Sequence, residues 1–232
     1  MLGEDRLQAD KIADFLAFHE YVVDKMKGPI MKSRSMLPFL LTLLIVTCAH
    51  QLKPETVDLS TLELVTRTDW GWVEPADTII FHEPHEIEYV TIHHGGEDFP
   101  EDKDVIKYLI GLQSWSRSSK GWMDNPYHYM IDLKGNIYEA RKIKYPGDTN
   151  TSYDPRGHAL ICVMGNYENQ VLTETQFEQL ARLTAKLANE YNVPQEKIKS
   201  HKDYAETLCP GADIYRYLED GSLLERIKEL RQ

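Results

Sequence analysis

The sequence predicts an α/β domain over residues 61–232, because strand-like and helix-like patterns alternate along that stretch. Three observations carry the prediction. Residues 87–93 are rich in β-branched and aromatic side chains, which favour strands. Residues 159–164 form the continuous apolar run expected of a strand inside a sheet. Residues 173–176 form a capping box, which opens a segment with helical spacing.

The remaining elements of the domain follow from local patterns. Residues 104–116 have apolar side chains on one face of a helix. Residues 127–132 and 136–140 predict a hairpin that turns at Lys134 and Gly135. The helix that starts at the capping box is expected to stop near residues 192–194, and Ser222 with Glu225 marks the start of a last helix.

An apolar run at residues 36–48 follows the basic stretch 31–34 and ends at Cys48. The run is short for a transmembrane helix and matches the core of a signal peptide. It resembles a bacterial lipoprotein signal with Cys48 as the lipidated residue, although Thr47 stands where Gly or Ala is usual. We therefore expect export to the cell envelope, either to the periplasm or as a protein tethered to a membrane through Cys48. The alternative is a buried hydrophobic helix.

The apolar positions of residues 1–30 also have helical spacing. Either Met31 is the true start and residues 1–30 come from a misassigned one, or an amphipathic helix precedes a signal anchor; we favour the first. The predicted organisation is then an extension at 1–30, a signal peptide or lipoprotein-like anchor at 31–48, a polar linker at 49–60 and the α/β domain at 61–232.

The chain has a formal net charge of −11. Residues 1–48 hold six basic and six acidic side chains, so the acidic excess lies in residues 49–232. A body this acidic is a poor partner for nucleic acid. Each of the three cysteines, Cys48, Cys162 and Cys209, has a separate role in this interpretation, so no disulfide is needed. Cysteine usage therefore does not decide whether the protein works in an oxidising or a reducing compartment.

The pair His93-His94, together with His201 and Cys209, offers the ligand types of a catalytic zinc that keeps one position for water. Adjacent residues on a strand point to opposite faces, so only one of His93 and His94 is expected to face the metal. Taken singly, the histidine pair is more often a surface or core pair, and Cys209 beside a Pro-Gly turn has the alternative of a buried structural thiol.

Several ordered motifs across residues 64–217 resemble the zinc amidase family that includes peptidoglycan recognition proteins, T7-type phage lysozyme and bacterial N-acetylmuramoyl-L-alanine amidases. These motifs are VTRTDWG at 65–71, TIHH at 91–94, GWMDNPYHYMI at 121–131, GNIYEAR at 135–141, GNY at 165–167 and SHKDYAETLCPG at 200–211.

The resemblance implies a central mixed β-sheet flanked by helices, with Zn²⁺ held by His93, His201 and Cys209. It places Tyr127 on the catalytic tyrosine of the family, and Thr207 where relatives carry a Lys or Thr that assists the same oxygen. Such residues could stabilise a developing oxyanion. The alternatives are a half-buried strand aromatic for Tyr127 and a turn-capping hydroxyl for Thr207.

The other residues of the motifs are expected to support this site. We expect His94 to pack behind the metal or orient a ligand, and His128, Cys162, Trp70 and Trp122 to pack in the core. Arg141 is assigned either to the groove or to the surface. The chain departs from its relatives at 145–158, where the family's Gly-x-His segment is altered and His158 lies too close to the strand to replace it. It also lacks the glutamate that some bacterial relatives carry on the core strand.

The resemblance implies a zinc-dependent N-acetylmuramoyl-L-alanine amidase, which cuts the amide between the lactyl group of N-acetylmuramic acid and L-alanine in peptidoglycan. Peptidoglycan or a muropeptide is the expected substrate, and a monomer is expected. Two alternatives stay open: a recognition protein that binds muropeptide without cutting it, and another zinc amidohydrolase that acts on small acyl-amino acids or peptides.

Overall fold

A computed structural model describes residues 61–76 and 83–232. The extension, signal or anchor, and linker predicted for residues 1–60 lie outside the described residues. Within the described part, no helix has both the length and the apolar character that crossing a membrane requires.

Six strands form one mixed sheet, as expected. They are β1 (Leu64–Val65), β2 (Tyr89–His94), β3 (Tyr129–Ile131), β4 (Ile137–Glu139), β5 (His158–Val163) and β6 (Ile198–Ser200). Their order across the sheet is β1-β4-β3-β5-β2-β6. The predicted hairpin is the antiparallel pair β3–β4, whereas the other neighbours are parallel. The neighbouring interior strands β5 and β2 are almost wholly buried, and β5 has the apolar sequence expected inside a sheet.

Four helices flank this sheet. They are α1 (Val105–Lys120), α2 (Glu174–Glu190), α3 (Ala212–Glu219) and α4 (Ser222–Leu230). The predicted capping box of α2 is present: the Thr173 side chain accepts from the Gln176 amide, and the Gln176 side chain accepts from the Thr173 amide. Short 3₁₀ turns at Gln195–Lys197 and His201–Asp203 flank β6.

The sheet has a different apolar layer on each face. One layer joins Val90 and Ile92 of β2 to α2, α3 and α4. The other layer joins Met130 and Cys162 to Leu109 of α1. Because side chains alternate along a strand, His93 lies on the α1 face with its register partner Cys162.

Several predicted boundaries were wrong by a few residues. β2 begins at Tyr89 and not at residue 87. Helix α1 continues past residue 116 to Lys120, because Gly121 is the first residue with left-handed backbone (φ 67°) and the Trp122 amide closes the last turn on the Ser116 carbonyl. The predicted start of the last helix at Ser222 is confirmed, with Gly221 at the N-cap.

Candidate metal centre

The carboxyl ends of β2 and β6 bring the two candidate histidine ligands together. The strands are parallel and Ile92 pairs with Ser200, so His93 and His201 occupy the next position on each. Ser200 fixes the turn that follows β6, since its amide and hydroxyl both donate to the Asp203 carboxylate, at 2.8 and 2.6 Å. His201 is therefore the first residue of a tightly held 3₁₀ turn.

Cys209 reaches the same point from the loop before α3. Gly211 has φ 90°, and a Cβ atom there would lie 2.5 Å from the carbonyl carbon of Tyr167. Only glycine allows the loop to pack this closely against the turn that follows β5. The Cys-Pro-Gly motif thus has a steric reason, because the glycine permits the approach that places Cys209 beside β2.

His93, His201 and Cys209 converge as the sequence predicts. Their ligand atoms all lie within 4.8 Å of one another, and the three side chains are buried. The His93 Nδ1 and Cys209 Sγ atoms are 3.6 Å apart. Two such atoms bound tetrahedrally to one zinc, with Zn–S near 2.3 Å and Zn–N near 2.05 Å, are separated by roughly 3.6 Å. The donor set and its spacing therefore fit a single zinc ion.

His94 does not join this group, in keeping with the alternation of side chains along β2. Its backbone amide lies 3.3 Å from Cys209 Sγ and donates to it. Its ring Nδ1 accepts from the Tyr167 amide at 3.2 Å. This bond requires a lone pair on Nδ1, so the neutral ring carries its proton on Nε2. His94 also lines the cleft, where Nε2–H is a hydrogen-bond donor.

Burial controls the ionisation of all three candidate ligands in the metal-free protein. Desolvation, followed by the charge of His201, lowers the pKa of His93 well below its ordinary value. Desolvation, followed by the charge of His94, lowers the pKa of His201 to about 4. The imidazoles are therefore neutral at pH 7, with lone pairs for a cation. Burial raises the pKa of Cys209 to about 12, so the thiol needs a bound cation to ionise.

The three side chains lie in an open cleft of about 590 Å³. This volume falls within the ~300–1,000 Å³ that ligand sites occupy. Aromatic side chains supply much of its wall, and they are Tyr108, Trp115, Trp122 and Tyr127. Trp122, expected in the core, instead lies in this wall with its ring 5.9 Å from that of Trp115. The cleft is thus shaped for a ligand with both polar and apolar parts.

Tyr127 and Thr207, the two expected catalytic residues, both line the cleft. The Tyr127 ring lies 5.2 Å from the His93 ring. Burial, followed by the charges of Cys162 and Cys209, raises the pKa of Tyr127 well above its ordinary value, so its hydroxyl stays a donor. Thr207 Oγ1 accepts from the Cys209 amide at 3.2 Å, which is the turn-capping role given as the alternative. Its hydroxyl proton is not used by that bond.

Arg141 lies neither in the groove nor at the surface, so both assignments were wrong. Its side chain is 0% exposed. The guanidinium donates to the carbonyls of Asp124, Asn125 and Pro146, and pairs with Asp148. The side chain thus joins residues 124–125 to residues 146–148, two segments that lead into the cleft.

Three of the other expectations are confirmed. His128 is a core residue, whose Nδ1 accepts from the Leu160 amide and whose Nε2 lies 2.9 Å from the Tyr145 carbonyl oxygen. Trp70 is buried and donates to the Glu139 carbonyl. His158 is not part of the convergent group; its Nδ1 lies 2.8 Å from Thr91 Oγ1, and its ring stacks on Tyr89.

The loop at 145–158 contributes residues that the sequence did not reveal. Thr149 and Thr151 line the cleft, and the Thr151 hydroxyl lies 2.7 Å from His201 Nε2. The Tyr153 hydroxyl lies 3.3 Å from His93 Nε2. Hydroxyl side chains in a polar loop carry no local signal for such contacts, because only the tertiary fold brings this loop to the histidines.

A family profile described as N-acetylmuramoyl-L-alanine amidase matches residues 83–212, which is more than half of the chain. The chain belongs to this amidase family. Among its curated relatives, peptidoglycan-recognition protein SC2 of Drosophila melanogaster is 24% identical over 185 residues, covering 79% of this chain and 95% of the relative. Peptidoglycan recognition protein 1 of Mus musculus is 26% identical over 138 residues, covering 58% and 75%.

Solved structures show that this amidase-family chain shares their fold. Drosophila peptidoglycan recognition protein SD aligns with a TM-score of 0.60 at 21% identity, over 68% of this chain and 94% of that one. A Drosophila PGRP-LB variant in complex with tracheal cytotoxin aligns with a TM-score of 0.59 at 21% identity, over 70% and 96%. The N-acetylmuramoyl-L-alanine amidase LysC from Clostridium intestinale aligns with a TM-score of 0.55 at 20% identity, over 69% and 97%.

Proposed function

We propose that this protein is a zinc-dependent N-acetylmuramoyl-L-alanine amidase. It cuts the amide between the lactyl group of N-acetylmuramic acid and L-alanine in peptidoglycan. The observation that carries the proposal is the convergence of His93, His201 and Cys209 within 4.8 Å at an open cleft, in a chain of the amidase family. This donor set, which suits a catalytic zinc, supports hydrolysis over binding alone.

The three ligand residues are prepared to bind a divalent cation. Both imidazoles are neutral because burial lowers their pKa values. The Cys209 thiolate, once formed, receives a hydrogen bond from the His94 amide. When bound there, zinc supplies a Lewis acid for the scissile carbonyl and lowers the pKa of a water molecule to about 7.

Tyr127 and Thr207 act on the oxygen that becomes negative as the amide carbonyl is attacked. The Tyr127 phenol remains protonated because its pKa is raised, and its ring is beside His93. It therefore donates a hydrogen bond to that oxygen. The Thr207 hydroxyl oxygen accepts a hydrogen bond from the Cys209 amide. The hydroxyl proton stays free to act as a second donor. Donors fixed in this way stabilise charge that develops only in the transition state.

The shape of the cleft favours peptidoglycan over a small acyl-amino acid. The cleft is open and has both hydroxyl and aromatic walls, whereas an enzyme for a small substrate encloses it. Two structural neighbours are named as complexes with tracheal cytotoxin, which one of the names describes as monomeric diaminopimelic acid-type peptidoglycan. The signal-like run that ends at Cys48 supports action in the cell envelope, where this polymer lies.

The rival function is recognition without cleavage, since several relatives are named recognition proteins. Digestion of purified peptidoglycan separates the two. The full chain is incubated with wall material, and the soluble products are identified by mass spectrometry, with Cys209→Ser as the matched control. We expect free stem peptides that begin with L-alanine from the wild type and none from the variant. Binding of wall material with no released peptide would establish the recognition role instead.

A further inference from the structure

The segment 149–153 lies along one side of the proposed metal site and places hydroxyl groups on both histidine ligands. We propose that Tyr153 and Thr151 are positioning residues, which hold the imidazoles of His93 and His201 in the orientation that binds zinc. This inference rests on the metal site of the proposed function. It concerns the loop in which this chain departs from the Gly-x-His pattern of its relatives.

The contacts of His93 show which nitrogen is available for the metal. Its Nδ1 faces Cys209 Sγ at 3.6 Å, and its Nε2 faces the Tyr153 hydroxyl at 3.3 Å. In a neutral ring that binds metal through Nδ1, the proton is on Nε2. The Tyr153 hydroxyl oxygen accepts a hydrogen bond from this Nε2–H group. The bond fixes both the tautomer and the rotation of the His93 ring. Metal-bound histidines almost always have such a partner.

Thr151 contacts the Nε2 atom of His201. Its hydroxyl lies 2.7 Å from His201 Nε2. Thr151 is itself held by Thr149, whose Oγ1 accepts from the Thr151 amide at 3.1 Å and lies 2.9 Å from Thr151 Oγ1. We infer that Nε2–H of His201 donates to Thr151, which leaves the lone pair of Nδ1 for the metal. Two hydroxyl groups of one short segment therefore bind the Nε2 atoms of His93 and His201 and orient the two rings.

The Tyr153 ring is held by neighbouring rings, so its hydroxyl has a fixed position. It stacks on Tyr204 with ring centroids 5.6 Å apart and planes 21° apart. It meets His158 edge-on at 5.4 Å and lies 5.1 Å from the His201 ring. Within the described chain, no hydrogen bond joins the Tyr204 hydroxyl to His93, His201 or Cys209. Tyr204 thus offers a control for the loss of one phenolic oxygen from the same cluster.

The test measures zinc affinity of the full chain by competition with a chromophoric chelator. We expect Tyr153→Phe and Thr151→Val each to bind zinc about 10–100-fold more weakly than the wild type, which is the usual effect of removing such a partner. Tyr204→Phe and Thr151→Ser are expected to bind like the wild type, because the serine keeps the hydroxyl. The Co²⁺-loaded forms give a second readout, since a reoriented imidazole shifts the visible bands.

Equal zinc affinity in Tyr153→Phe, Thr151→Val and the wild type would overturn the inference. So would an equal loss in Tyr153→Phe and Tyr204→Phe, because that result indicates general packing of the aromatic cluster. Unfolding by urea in excess chelator shows that the compared variants are folded. A wild-type chain that binds no zinc would instead refute the proposed function, and it is seen before any variant is made.

Discussion

Replacing Arg141 by Met is expected to destabilise the domain strongly, although Arg141 is neither a proposed metal ligand nor part of the cleft wall. Its guanidinium is wholly buried. It donates hydrogen bonds to the backbone carbonyls of Asp124, Asn125 and Pro146 and forms an ion pair with Asp148. Methionine fills much of the same volume but donates no hydrogen bond. The substitution therefore leaves three carbonyls and a carboxylate without the guanidinium.

The burial of the pair sets the magnitude. Asp148 is only 11% exposed, and breaking a buried ion pair from one side costs about 3–5 kcal/mol of unfolding free energy. Arg156 pairs with Asp154 in the same loop with similar chemistry, but these side chains are 74% and 53% exposed. An exposed pair contributes about 0–1 kcal/mol. Arg156→Met is thus a matched control that differs in burial.

Urea unfolding followed by tryptophan fluorescence measures both variants. All four tryptophans lie in residues 61–232, so the signal reports this domain. With a slope of about 2 kcal/mol per molar urea, Arg141→Met should lower the midpoint by roughly 1.5–2.5 M, and Arg156→Met by less than about 0.5 M. Equal shifts in the two variants would refute the reasoning. Adding Asp148→Asn to Arg141→Met should recover part of the loss, because it removes the buried charge.

Two further predictions concern the active-site donor and the response to acid. Tyr127→Phe should keep its zinc but slow peptidoglycan hydrolysis by about 10²–10³-fold, the usual effect of losing one oxyanion donor; an unchanged rate at full zinc content would remove that role. His128 has its pKa lowered to about 3, chiefly by burial. Between pH 6.5 and about 3 the His128 side chain binds a proton in the unfolded chain but not in the folded chain. The free energy of unfolding therefore falls by up to about 1.4 kcal/mol for each unit of falling pH. The urea-derived stability of His128→Gln should fall less steeply between pH 6.5 and 5, and parallel curves for variant and wild type would count against this assignment.

The proposed ligand set could be predicted because the motifs around His93, His201 and Cys209 resemble those of a known family. The strand alternation that separates His93 from His94 holds in the structure. Gly211 of the Cys-Pro-Gly motif has a steric role that depends on Tyr167, which is distant in sequence. The hairpin and the capping box of α2 also follow from contacts a few residues apart. In the hairpin and the capping box, a short stretch of chain contains both the cause and the result.

The residues around the centre could not be predicted, because their partners are distant in sequence. Arg141 is buried since carbonyls from two other segments surround it, and an arginine in isolation favours the surface. Tyr153 and Thr151 reach histidines 60 and 50 residues away. Trp122 follows Gly121 at the end of α1, and only the position of that helix places it in the cleft wall. Tertiary packing decides all of these.

The zinc content of the purified full chain tests the central claim most directly. Inductively coupled plasma mass spectrometry of the wild type should find about one zinc per chain, while His201→Ala and Cys209→Ser should retain almost none and release no stem peptide from wall material. Either variant that turned over peptidoglycan at the wild-type rate without zinc would contradict the account, as would a wild-type enzyme that cleaves the amide with no metal bound.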